Sequence, residues 1–281
     1  MHTPGRALLG LLLSTIAAGP LAAGPALAHQ FWLEPSSYAG VRGRSVSVSA
    51  FAGTGFRGEA KPWSPARAVR LVARAARLID LSPAAVPGDR TLARFAPTDD
   101  GGAMLALETT FTSAQLESGA FDAYLEEEGL TFARRARARG ASPAPRRERY
   151  RRCAKTWITG TDTARAASQI GLPLEIVPGG IPGAEPVLPL TVLRGGRPLA
   201  GALVKAWRTP LQSGGTSAAA GRDSVGTAWE GRTDSRGRAS VPVRERGAWL
   251  VSVVDMVPCA EKRAADWEST WASLTFARTM P

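Results

Sequence analysis

Polar and apolar residues alternate with a period of two through much of the chain, the spacing of strands with one face buried. Ser45 to Gly53, SVSVSAFAG, is the plainest case. After the turn DDGG, the run AMLALETTF from Ala103 to Phe111 reads as another half-buried strand. Between them, AVRLVARAARLIDL from Ala68 to Leu81 spaces valine and leucine among arginines in a way that suits either a strand or a helix. Glycine and proline clusters, GTGFRG and AAVPGD, supply turns. One segment has helical spacing: in SGAFDAYLEEEGL, Phe121, Tyr124 and Leu125 fall on one face, with Ser118 as N-cap and Gly129 as the stop. Its EEE run reads as the wet face of that helix, with attraction of a cation as the other reading.

Past Thr156 the chain turns rich in glycine and proline, and GLPLEIVPGGIPGAEP reads as a connection between units, with a boundary near Pro182. Beyond it come VLPLTVLRGGRPLAGALVKAWR, two strands about a turn at Gly195-Gly196, and EGRTDSRGRASVPV, two strands about a turn on Asp234 to Gly237. At Asp234 an Asx-type turn is the simpler reading beside a calcium site. GAWLVSVVDM and TWASLTFAR follow, and Gln212 to Ser224 reads as a variable loop. Short strands set off by turn residues predict a mainly β protein of two antiparallel β-sandwich domains, one spanning 29–182 with one short helix and one spanning 183–281. The tryptophans at 207, 229, 249, 267 and 271 lie in these strands, where core or sheet-face packing is expected.

Ahead of all this stands MHTPGRALLGLLLSTIAAGPLAAGPALA. A single early arginine, an apolar run from Ala7 to Ala18 and a closing Ala-Leu-Ala are the parts of a secretory signal peptide, residues 1–28, cut after Ala28. The apolar run is shorter than the roughly 20 residues of a membrane span. Export to the periplasm, or to the medium, is the expectation, with no transmembrane segment after cleavage.

Charge then has to be read outside the cytoplasm. The chain carries a formal net charge of +11, which inside a cell suggests nucleic acid and here does not. Much of the excess sits in ARRARARGASPAPRRERYRR, Ala133 to Arg152, which shows no apolar periodicity and reads as a solvated, arginine-biased linker. Anionic lipid head groups or an acidic partner are the other reading. Two cysteines, Cys153 and Cys259, admit a single pairing in an oxidising compartment. That bridge would close a loop of about 106 residues, worth about 4 to 5 kcal/mol in the chain-entropy model.

With two histidines in the whole chain, and one of them in the leader, a Ser-His-Asp triad would have to use the N-terminal residue itself, and a three-histidine zinc site cannot form. No enzyme is expected. His29 would become the first residue of the mature chain, putting an α-amine and an imidazole on one residue. The amine nitrogen and Nδ1 can close a chelate ring on Ni(II), Co(II), Cu(II) or Zn(II).

AHQFWLEPSS, FDAYLEEEGL, RERYRRCAK, GLPLEIVP, GRPLAGALVKAW, TDSRGRASVPV and ADWESTWASLTF together resemble, in that order, a family of bacterial periplasmic proteins with an uncharacterised domain, described as periplasmic components of nickel or cobalt transport systems. The resemblance implies β-sandwich modules, the second similar to carrier-type immunoglobulin-like domains. It also implies that His29 matches the histidine opening the mature relatives, and that Asp255 stands where relatives carry a histidine. Glu34, Asp266 and Glu268 are the next candidate ligands, each competing with a role as an ion-pair partner for the arginines. The expected function is binding of a divalent transition metal, of the nickel or cobalt class, for uptake or handling. The alternative is a non-catalytic module that docks an outer-membrane receptor or a membrane transporter subunit.

Overall fold

The computed structural model describes residues 30–140, 143–211 and 226–279. The leader, His29 and the loop expected at 212–224 lie outside them. In chain order the strands are β1 (Gln30–Pro35), β2 (Val46–Thr54), β3 (Arg57–Lys61), β4 (Ala68–Arg74), β5 (Leu78–Asp80), β6 (Thr91–Phe95), β7 (Ala103–Thr109) and β8 (Thr112–Leu116). Helices α1 (Ser118–Glu127) and α2 (Thr131–Arg139) follow, then β9 (Arg146–Ile158), α3 (Thr163–Ala166) and β10 (Leu174–Pro178). The rest is β11 (Val187–Arg194), β12 (Arg197–Pro198), β13 (Leu203–Thr209), β14 (Trp229–Arg232), β15 (Arg238–Pro242), β16 (Gly247–Pro258) and β17 (Trp267–Arg278).

The protein is mainly β, as its alternation predicts, and it is layered. A nine-stranded sheet in the order β14-β13-β16-β17-β9-β7-β4-β5, with β8 also on β9, forms the middle. One face is covered by a four-stranded sheet of β10, β11, β12 and β15. Between the two lies the largest core, including Met104, Trp157, Ile176, Leu190, Val251 and Leu274. The opposite face meets the four-stranded sheet of β1, β2, β3 and β6 through Leu33, Val48, Leu71, Leu105 and Ile158. Further along that face, α1 and α2 pack on Val254, Met256, Trp267 and Trp271.

Burial on both faces explains why several strands lose the polar-apolar alternation. The first six residues of β7, expected to be half buried, are all buried, as are the first eight of β16. Within β7, Met104 and Ala106 join one core while Ala103, Leu105 and Leu107 join the other.

Among the described residues three α-helices stand where one was expected. In α1 the predicted face of Phe121, Tyr124 and Leu125 is buried, and Gly129, at φ +60°, takes the left-handed conformation that ends it. The N-cap is Glu117, not Ser118; the Ser118 hydroxyl instead receives Arg137 Nη2 at 2.6 Å. Of the EEE run, Glu126 and Glu127 are exposed, but Glu128 is buried and bonded to Lys205 at 3.1 Å, which ties α1 to the middle sheet.

The supposed arginine linker is α2 and the first half of β9. Helix α2 packs through Ala133 and Ala136, too small to register as an apolar period, while Arg137 is buried against Asp122 at 3.1 Å. Strand β9 pairs in parallel with β17, from Glu148 with Trp267 to Thr156 with Thr275. This is a parallel pair in a fold expected to be antiparallel.

Residue 182 falls between β10 and β11, which pair with each other, and the middle sheet takes strands from both sides of it. The segment expected as a mere connection therefore contains a core strand. Glu175 on β10 and Lys155 on β9 meet across the two sheets at 2.9 Å, both fully buried. Asp234 makes the expected Asx turn, its Oδ1 accepting the amides of Arg236 and Arg238, each at 2.8 Å.

Candidate functional site

His29 lies outside the described residues, but Gln30, to which it is joined, opens β1. All six residues of β1 are buried. The strand lies along β17, where the Ser273 hydroxyl donates to the Phe31 carbonyl and the Thr275 hydroxyl to the Leu33 carbonyl, both at 2.6 Å. A step of two residues on one strand matches two on the other, so the chain enters β1 from the Trp271 end of β17. These buried hydroxyls satisfy carbonyls on the β1 edge, which no strand among the described residues pairs with.

The expected carboxylate ligands do not gather there. Asp255, on β16, shares the face of Val251 and Val253 and so points toward the β10–β11 sheet, away from β1. Its Oδ2 lies 2.9 Å from Arg194 Nη1; burial raises its pKa and the Arg194 charge opposes the rise. Glu268 is on that same face of β17 and is held by Arg149 at 2.7 Å. Asp266, just ahead of β17, accepts from the Arg147 backbone and side chain, each at 3.0 Å. Glu34 is buried and accepts from Trp32 Nε1 at 3.2 Å. Among the described residues no three His, Cys, Asp or Glu side chains converge as a metal cage.

The disulfide expected between Cys153 and Cys259 is absent, and both thiols are free and buried. Register explains the absence. Cys153 is level with Ala272, whereas Cys259 bonds to Asp266, just before the residue level with Glu148. Six residue steps of strand separate the two levels, about 20 Å, against the roughly 4 to 7 Å between Cα atoms that a disulfide spans. Burial pushes the Cys153 thiol up to about 12.

What the sequence did not disclose is a polar group on the face of the middle sheet that β1 and α1 share. Glu148 of β9 is fully buried. Its Oε1 accepts from Tyr124 at 3.2 Å and from the Ser269 hydroxyl, while Oε2 has no hydrogen-bond partner among the described residues. Burial raises its pKa to about 7, against the pull of those hydrogen bonds and of Arg152. Tyr124 stacks on Trp271 with ring centroids 6.0 Å apart and planes at 6°. The Arg152 guanidinium lies 5.1 Å from the Phe31 ring centroid and 4.9 Å from that of Tyr150. Arg152 Nε and Trp271 Nε1 also lack hydrogen-bond partners among the described residues. RERYRR reads as a charged run because its two faces diverge: Arg147 and Arg149 meet carboxylates on one, while Glu148, Tyr150 and Arg152 line the other.

No curated protein matches the chain. Among solved structures it is similar to the D0-D1 domain of intimin, at 12% identity and a TM-score of 0.18, over 88% of this chain and 97% of that one. It is also similar to trypsin-activated alpha-2-macroglobulin from Escherichia coli, at 10% identity and a TM-score of 0.21, over 92% of this chain and 16% of that one. Residues 26–256 match the family described as domain of unknown function DUF4198, a span that crosses residue 182 and takes in β1, Tyr124, Glu148 and Arg152 but stops short of Ser269 and Trp271, and the chain belongs to that family.

Proposed function

We propose that this protein is exported and binds a divalent transition metal of the nickel or cobalt class through His29 as the first residue of the mature chain, in the service of metal uptake or handling. The observation that carries the reading is the state of β1. Cleavage after Ala28 leaves one residue ahead of a strand that is buried from its first position and fixed by two buried hydroxyls. A chelate of amine and imidazole gains affinity when its backbone is held beforehand, since less freedom is lost on binding.

The donor set argues for an open site. Asp255, Asp266 and Glu268 are engaged by arginines, and the described residues hold no closed cage that would trap an ion. Two donors from one residue, completed by water, suit an ion that is passed on.

The test is calorimetric titration of Ni(II), Co(II), Cu(II) and Zn(II) into protein beginning at His29, beside protein carrying one extra N-terminal alanine. Tight binding is expected only in the first. It should weaken below the ordinary α-amine pKa of about 7.7 to 8.0, as the amine must shed its proton to bind. Equal affinity in the two forms overturns the reading.

A further inference from the structure

We propose that the outer face of α2 docks the protein on an anionic lipid bilayer. This rests on observations separate from the N-terminal residue. Of the arginines in 133–152, those on β9 are engaged by the chain itself: Arg146 on the Gly140 carbonyl, Arg147 on Asp266, Arg149 on Glu268 and Glu261, Arg151 on Thr270 and Phe111, and Arg152 over Phe31 and Tyr150. Those on α2 divide by face. Arg137 points inward to Asp122 and Ser118, and Arg134 lies 3.7 Å from Glu126. Arg135 and Arg139 are exposed and form no ion pair with any described residue.

Phe132 shares their side of the helix, because positions i, i+3 and i+7 fall within about 60° of one another at 3.6 residues per turn. Its side chain is 60% exposed, the most open large apolar residue described. Lys262 and Arg263 extend the positive surface from the turn beyond β16, both exposed, and Lys262 lines with Ala136, Arg137 and Arg146 the depression beside the helix.

One aromatic ring on the same face as two uncompensated guanidinium groups matches the interfacial layer of a bilayer, where the ring lies at head-group depth and the arginines reach phosphate. A protein partner fits less well. Nine residues of helix make a convex ridge of about 14 Å, well short of the roughly 800 Å² per side of a stable protein interface.

Sedimentation of the purified protein with phosphatidylcholine vesicles, with and without phosphatidylglycerol, tests this. Binding is expected only with the anionic lipid and should fall as salt is raised. Arg135→Gln and Arg139→Gln should each weaken it about fivefold, as expected for one basic residue at a charged membrane surface. Phe132→Ala should weaken it further, while thermal unfolding stays where it was because none of the three side chains is buried. Equal binding to both vesicles, or wild-type binding by the double arginine variant, overturns the proposal. So does retention on a soluble polyglutamate that Phe132→Ala leaves untouched, the result an acidic protein partner would give.

Discussion

Lys155 Nζ lies 2.9 Å from Glu175 Oε1 with neither side chain open to water. The lysine also donates to the Ile176 carbonyl at 3.0 Å, and Glu175 accepts the amides of Ile170, Gly171 and Leu172 at 2.7, 2.8 and 3.1 Å. The carboxylate thus folds the loop ahead of β10 around itself while anchoring that strand to the middle sheet. Burial lowers the Lys155 pKa, and the charge of Glu175 works against that shift.

Removing one partner strands the other in an apolar core. Lys155→Met should cost about 3 to 5 kcal/mol of stability in urea unfolding, the range for breaking a buried pair. A loss under about 1 kcal/mol would mean that water reaches Glu175.

The hydroxyl clamp on β1 is checked by Thr275→Val. It keeps the shape of the side chain and leaves the Leu33 carbonyl without its donor, a loss of about 1 to 3 kcal/mol. Amide exchange should quicken in residues 30 to 35. If the N-terminal reading is right, metal affinity falls with the clamp; unchanged exchange would show that the clamp does not hold the strand.

Glu148 makes stability depend on pH. Its folded pKa of about 7 stands above the ordinary 4.5, so the folded state holds a proton that the unfolded state has shed. The sign follows: stability is intact below about pH 4.5 and is lost as pH rises through 7, by on the order of 3 kcal/mol. The groups facing it are Tyr124, whose own pKa is raised by burial, and Arg152. Glu148→Gln should flatten the fall in urea midpoint between pH 5 and 8. A variant that keeps the wild-type slope would place the titration elsewhere.

Both thiols should be silent to Ellman's reagent in the native protein and both should react in denaturant, since each is buried and unbonded. Protein prepared without reductant should migrate identically with and without reductant on the gel. A reductant-dependent shift would require β9 and β16 to slide past each other by several residues.

Asp255→Asn should leave metal affinity unchanged, because the carboxylate faces Arg194 on the side of the sheet away from β1. A tenfold loss of affinity would put Asp255 in the site after all.

Local pattern carried the strand content, the face of α1 and its glycine stop, and the turn at Asp234. It could not carry partners set by the fold. RRERYRR looks like solvated charge until β17, 119 residues downstream, brings Glu268 to Arg149. Helix α2 was hidden because alanine is its packing residue. Cys153 and Cys259 paired by elimination, an argument blind to the register that holds them apart. Glu148 gave no signal, since a glutamate among arginines reads as an ion pair, and here its two sequence neighbours, Arg147 and Arg149, turn to the opposite face.

Strand β17 follows every other strand among the described residues, yet it occupies the middle of the widest sheet, between β16 and β9. A polypeptide exported as proposed, through a translocon from its N-terminal end, would therefore emerge with its middle layer split in two, and the halves could not close until β17 cleared the pore. Such an order makes for slow folding through long-range pairing, with open strand edges waiting meanwhile. Shielding of those edges over that interval is a need that the connectivity would impose on the proposed export route.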